Sequence, residues 1–187
     1  MSSASSQLPT ASRDHKAAAI RYGFRIFVGA LFIPFVVVGT IRFVFAGTVV
    51  NPNASLFAGV GITALVLAAG YAGGLSLRAA RSGDDQRYER WSWWAAFLGF
   101  ASTFSVIAQW RTLDLPAANH FAQAYELVTG TWAVYAFVGA LLHWAMRLRH
   151  RRIPFTPEDH WGIEAVVNYG VLPLVAWVGI FIILYVV

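Results

Sequence analysis

Five long apolar runs decide what this chain can become. They cover about 24–46, 55–77, 91–110, 120–146 and 162–187, each 20 residues or longer. At about 1.5 Å per residue, a helix of that length crosses a hydrocarbon core of about 30 Å. Inside such a core every backbone N–H and C=O must be paired within the segment, so each run is predicted to be a helix. Composition agrees: 58% of residues are hydrophobic and 12% charged, against about 25% charged in soluble domains. The predicted fold is all-α, a polytopic membrane bundle of five transmembrane helices. Residues 1–20 read as a disordered cytoplasmic tail and 21–187 as the bundle, with loops too short to hold a soluble domain.

The net charge of +5 does not point to nucleic acid, because the cations cluster between apolar runs. Arg13, Lys16, Arg21 and Arg25 precede or enter the first run. Arg78, Arg81, Arg87 and Arg90 lie between the second and third. Arg147, Arg149, Arg151 and Arg152 lie between the fourth and fifth. Only Arg42 and Arg111 remain for the other side. The positive-inside rule then places the N-terminus in the cytoplasm and the C-terminus outside, as five spans require. The chain contains no cysteine, which excludes disulfides, thiolate metal sites and thiol catalysis.

Local features refine the picture. Pro34 should bend the first helix and Pro173 the last, since each removes a backbone donor and crowds the preceding turn. Arg25 and Arg42 sit near the ends of the first run, where their stems can snorkel to headgroups. Gly70 and Gly74 are one helical turn apart and offer a close helix approach. Residues 78–90 read as a solvated polar loop. Trp91, Trp93 and Trp94 read as an interfacial belt. Asn53-Ala54-Ser55 matches a glycosylation pattern but reads better as loop.

Chemistry-bearing residues are few. Of the five histidines, only His143 lies well inside a run, and no second histidine faces it as a haem ligand would. It reads as a packing or interfacial residue. Two carboxylates enter spans, Glu126 near the outer end of the fourth and Glu164 at the inner start of the fifth. They lie at opposite faces and cannot form an acid–base pair. Glu164 falls in a first helical turn, where the helix dipole favours negative charge, and Arg147 to Arg152 are expected to pair with it.

His160-Trp161-Gly162-Ile163-Glu164-Ala165, followed by Tyr169 and Trp177, resembles the last helix of haem-copper oxidase subunit III. That family enters its final span with His-aromatic-Gly-aromatic-Glu-Ala. Arg21-Tyr22-Gly23, Asn53-Ala54-Ser55, Gln109 and Thr129-Gly130 resemble further family positions. The likeness runs from about Arg21 to the C-terminus and implies the five-helix form. It implies a non-catalytic accessory subunit of a respiratory terminal oxidase in the cell inner membrane. This chain would hold no cofactor, the haem and copper lying in catalytic subunit I, its partner. Phospholipid would be a second partner. Arg147, Arg149, Arg151, Arg152, His160 and Glu164 would meet lipid headgroups or neighbouring subunits, and Gly70 and Gly74 would make helix contacts.

The chain also departs from that family. A buried family glutamate aligns with Leu31, two histidines with Trp132 and Tyr135, and a histidine and aspartate with Val171 and Leu174. No proton-uptake role is therefore carried over. The same departures leave a second reading, a structural subunit of another redox complex such as a nitric oxide reductase or an oxidase supercomplex. An independent transporter is disfavoured, because no polar path crosses the midplane and no inverted repeat is visible.

Overall fold

The computed structural model describes residues 10–47, 55–112, 120–155 and 160–186. Among these residues the chain is all-helical, and five segments are long and apolar enough to cross a membrane. The first span is made of α1 (Thr10–Ala30) and α2 (Ile33–Ala46). The others are α3 (Leu56–Arg81), α4 (Asp85–Thr112), α5 (His120–Arg152) and α6 (Trp161–Phe181), the last ending in a π-helical turn at Ile182–Val186. Asn53 and Ala54 of the glycosylation pattern lie outside the described residues.

The break in the first span is the bend expected from Pro34. Leu31 and Phe32 form a turn, with the Phe32 N–H donating to the Gly29 carbonyl at 3.1 Å, and Pro34 sits in the first turn of α2. Proline has no N–H to continue the ladder and is accepted at a helix start. Helix α1 begins at Thr10, inside the segment read as a tail. Ala17, Ala18 and Ala19, strong helix formers, carry the helix back from the span.

The expected 78–90 loop is much shorter in the structure. Helix α3 runs through Arg81 and α4 starts at Asp85. Gly83 takes a left-handed φ of 69°, and the Asp84 N–H donates to the Ala79 carbonyl at 3.0 Å, closing α3 as glycine-ended helices do. The Asp84 carboxylate then accepts the Arg87 N–H at 3.0 Å and caps α4. Charged residues thus extend both helices past the apolar boundary. Helix α5 likewise reaches Arg152 rather than stopping at 146.

Helices α3, α4, α5 and α6 close into a ring, each packed on its sequence neighbour and α3 also on α6. The α1–α2 span lies outside it, α2 against α5 and α1 against α6, and is the least buried of the five. Indole hydrogen bonds tie the ring together. The Trp132 Nε1–H donates to the Pro173 carbonyl at 2.7 Å, and Trp177 Nε1–H donates to Thr63 Oγ1 at 2.8 Å. The two indoles pack on each other at 4.6 Å between ring centroids. Ser92 Oγ–H donates to the His143 carbonyl at 3.2 Å and joins α4 to α5.

The two glycines singled out for helix contact behave differently. A Cβ on Gly70 would collide with Leu174 Cδ1, whereas one on Gly74 would meet nothing within 4 Å. The other inward-facing glycine near Gly70 is Gly73, which faces His143. A spacing of four drifts around a helix, and only the rotation of α3 in the ring decides which glycines point inward.

Candidate functional site

One end of the bundle gathers the charged residues that the sequence placed in three separate clusters. Glu164, in the first turn of α6, is buried. Its carboxylate lies 3.6 Å from Arg25 of α1, 3.8 Å from Arg81 of α3 and 4.0 Å from His160. A single carboxylate therefore joins three helices. Arg147 to Arg152 do not supply its partners as expected. Arg147 and Arg151 reach Glu89 of α4 instead, at 3.7 and 3.2 Å. They lie on the α4-facing side of α5, while the face of α6 that carries Glu164 turns toward α1 and α3.

A second, mixed cluster locks α4 to the end of α5. The His150 ring packs on Tyr88 at 4.7 Å and stacks on Phe155 at 5.3 Å. Its Nδ1 accepts the Phe155 N–H at 3.2 Å, and its Nε2 lies 3.2 Å from Asp85. The Arg149 guanidinium sits over the Phe155 ring at 5.2 Å, a cation–π contact. Arg152 is exposed.

This end also holds a groove that sequence reasoning missed. Arg21, Tyr22 and Arg25 of α1 line it with Ala17, Ala18 and Glu164. Arg21 also lies over the Trp161 ring at 5.5 Å. The signal was available: Arg21 and Arg25 are four apart, so both fall on one face of a helix.

The opposite end is polar but carries few charges. Tyr125 O–H donates to Gln109 Oε1 at 2.7 Å, and the Tyr185 hydroxyl lies 2.7 Å from that of Tyr125. Thr129 Oγ1 accepts from Trp110 Nε1 at 2.9 Å. Gln109 and Thr129, two positions of the resemblance, thus serve as buried hydrogen-bond partners. Arg42 reaches toward the end of its span, where its guanidinium bonds the Gly47 carbonyl past the C-terminal end of α2 and lies over the Phe121 ring at 5.0 Å, so that protein covers it. A helix end offers unpaired carbonyls, and the guanidinium meets one of them there. Glu126 is exposed on α5.

The positions where the chain departs from the family are filled by packing. Leu31 is half-buried against the core, and Tyr135 packs on Phe35 at 4.9 Å. Trp132 is fully enclosed, Leu174 lies over Gly70, and Val171 is exposed. Among the described residues, no three His, Asp or Glu side chains converge as a metal-binding group.

The weight of the Glu164 cluster follows from its exposure. The carboxylate is 10% exposed, but Arg25 and Arg81 are 63% and 52% exposed, and water and salt screen them. Glu164→Gln is expected to cost about 1 kcal/mol, well below the 3–5 kcal/mol of a fully buried broken pair. The cost should shrink in high salt. Denaturant unfolding in mixed micelles at low and high ionic strength reads it, and a salt-independent loss contradicts this account.

No known family profile matches the chain, and no curated protein matches it in sequence.

Proposed function

We propose that this chain is a non-catalytic, subunit III-like accessory subunit of a respiratory haem-copper terminal oxidase. It would sit in the cell inner membrane with its charged end toward the cytoplasm. The observation that carries the reading is the His160-Trp161-Gly162-Ile163-Glu164-Ala165 entry into the last helix. Its His160 and Glu164 stand 4.0 Å apart in the cluster that joins α1, α3 and α6. A structural role for the motif is consistent with a packing subunit. The exposed apolar α1–α2 span leaves a broad surface for a catalytic subunit or lipid. In this reading the Arg21–Arg25 groove takes an anionic phospholipid headgroup, and Arg149 and Arg152 add to the same electrostatic face.

The replaced polar positions at Leu31, Trp132, Tyr135, Val171 and Leu174 motivate an alternative reading, in which the chain is a structural subunit of another membrane redox complex such as a nitric oxide reductase or an oxidase supercomplex. Purification of the tagged chain in mild detergent distinguishes these outcomes. Co-purification of a larger haem- and copper-bearing subunit is the expected result, and its metal content identifies the complex. A colourless chain that runs alone at every detergent concentration overturns the proposal.

A further inference from the structure

A cavity of about 100 Å³ lies within the ring of α3, α4, α5 and α6. Glycines from four helices shape it, among them Gly70, Gly73, Gly139 and Gly170. Its wall is otherwise mostly Ala, Val, Leu and Trp132. Ser102 is already bonded to the Gly99 carbonyl at 2.8 Å. That leaves His143, which lines the cavity and is only 8% exposed. A Cβ on Gly73 would sit 3.3 Å from its Nε2, and one on Gly170 4.0 Å. The missing side chains of Gly73 and Gly170 are what leave Nε2 room beside the cavity. Among the described residues the imidazole makes no hydrogen bond and no ion pair; Ser92 bonds only the backbone carbonyl of His143.

An imidazole needs a hydrogen-bond partner when removed from water, and leaving it without one costs about 1–3 kcal/mol. A water molecule meets that need poorly in a wall this apolar, because ordered buried water wants two to four polar partners. A ligand with an apolar body and one oxygen meets it well. Size narrows the class. An apolar cavity of about 150 Å³ holds a benzene ring, so at about 100 Å³ this one excludes a haem and takes a single ring only once the Leu174 side chain has moved off Gly70. Access comes from the membrane: Val171, 51% exposed, borders the cavity on α6, beside Leu174 where it lies across Gly70. A tail attached to the ring would leave between α3 and α6 into lipid.

We propose that this cavity binds the ring of a membrane-soluble quinone or quinol, with His143 Nε2 hydrogen-bonded to a ring oxygen. The proposal concerns binding alone and does not depend on the oxidase reading. Leu174, whose side-chain end touches Gly70, is the residue that must swing aside to admit the ring.

The test uses the full chain in nanodiscs and a benzoquinone with a ten-carbon tail, with binding read by isothermal titration and by native mass spectrometry. One saturable site per chain is expected. His143→Leu should weaken it at least about tenfold, the size of one lost hydrogen bond. His143→Gln, which keeps a donor and an acceptor, should stay within about threefold. Ala136→Leu, which fills the cavity, should abolish the site. A ten-carbon chain ending in cyclohexane should not compete. If either leucine variant unfolds, the glutamine variant and the cyclohexane competitor still decide. No saturable site in the native chain overturns the proposal. So does equal binding by His143→Leu or effective competition by cyclohexane, each of which marks a slot for lipid chains.

Discussion

Replacing Trp132 with alanine is expected to cost the bundle about 3 kcal/mol, the low end of the range for losing a large buried aromatic. The low end applies because lipid tails are as apolar as the protein interior. Little is recovered by transfer from solvent, and lost packing dominates. Trp132 is fully enclosed, packs on Trp177 at 4.6 Å and donates to the Pro173 carbonyl at 2.7 Å. Trp132→Phe keeps most of the contact and removes only the N–H, so it should cost about 1 kcal/mol. Unfolding in mixed micelles measures both. If alanine and phenylalanine cost the same, the hydrogen bond and not the packing holds α5 to α6.

The same packing bears on the proposed likeness to the oxidase subunit. Trp132 and Tyr135 stand where that resemblance implies histidines, and both are packed by aromatic neighbours. The indole N–H retains the polar character of the position, but it bonds a backbone carbonyl inside the chain. Such a residue stabilises the ring without offering a group to a proton path.

The five spans were legible because each is set by local composition, and hydrocarbon leaves a long apolar segment no alternative to helix. Pro34 was legible for the same reason, since its effect acts within one turn. The helix ends were not. Asp85 and Glu89 look like loop residues by polarity, yet they continue α4, because helix formation only asks that their side chains reach water. Pairing was less legible still. Glu164 has six arginines and histidines close in sequence, between Arg147 and His160, yet of these His160 alone lies within 4.0 Å, and its arginine partners are Arg25 and Arg81 from distant spans. Which face of α6 turns toward α1 depends on the packing of the whole ring, and no spacing along one helix reports it. The same limit explains Gly74, which shares a stripe with Gly70 but whose Cβ would meet nothing within 4 Å. His143 read as a packing residue, and its place beside a cavity emerges only when glycines from several helices come together.

Gly99→Leu is expected to cost the bundle about 2–3 kcal/mol by overpacking. A Cβ on Gly99 would lie 3.0 Å from Ala140 Cβ and 3.6 Å from its Cα. That methyl is fixed to the α5 backbone and cannot rotate away, so α4 and α5 must separate. Separation also strains the Ser92 bond to the His143 carbonyl and the Glu89 pairs with Arg147 and Arg151. The clue in the sequence was the run of small residues four apart, Ala95, Gly99 and Thr103, whose middle member faces Ala140. Gly70→Ala should cost less than 1 kcal/mol, roughly, because the end of the Leu174 side chain can turn aside. Gly74→Ala should be close to neutral, since its Cβ enters open space. Gly99→Ala combined with Ala140→Gly closes the argument. The second change removes the methyl that the first one meets, so the pair should recover most of the loss from Gly99→Ala alone. If the double variant is no more stable than the sum of the two single changes, the α4–α5 crossing is not where these helices are held closest.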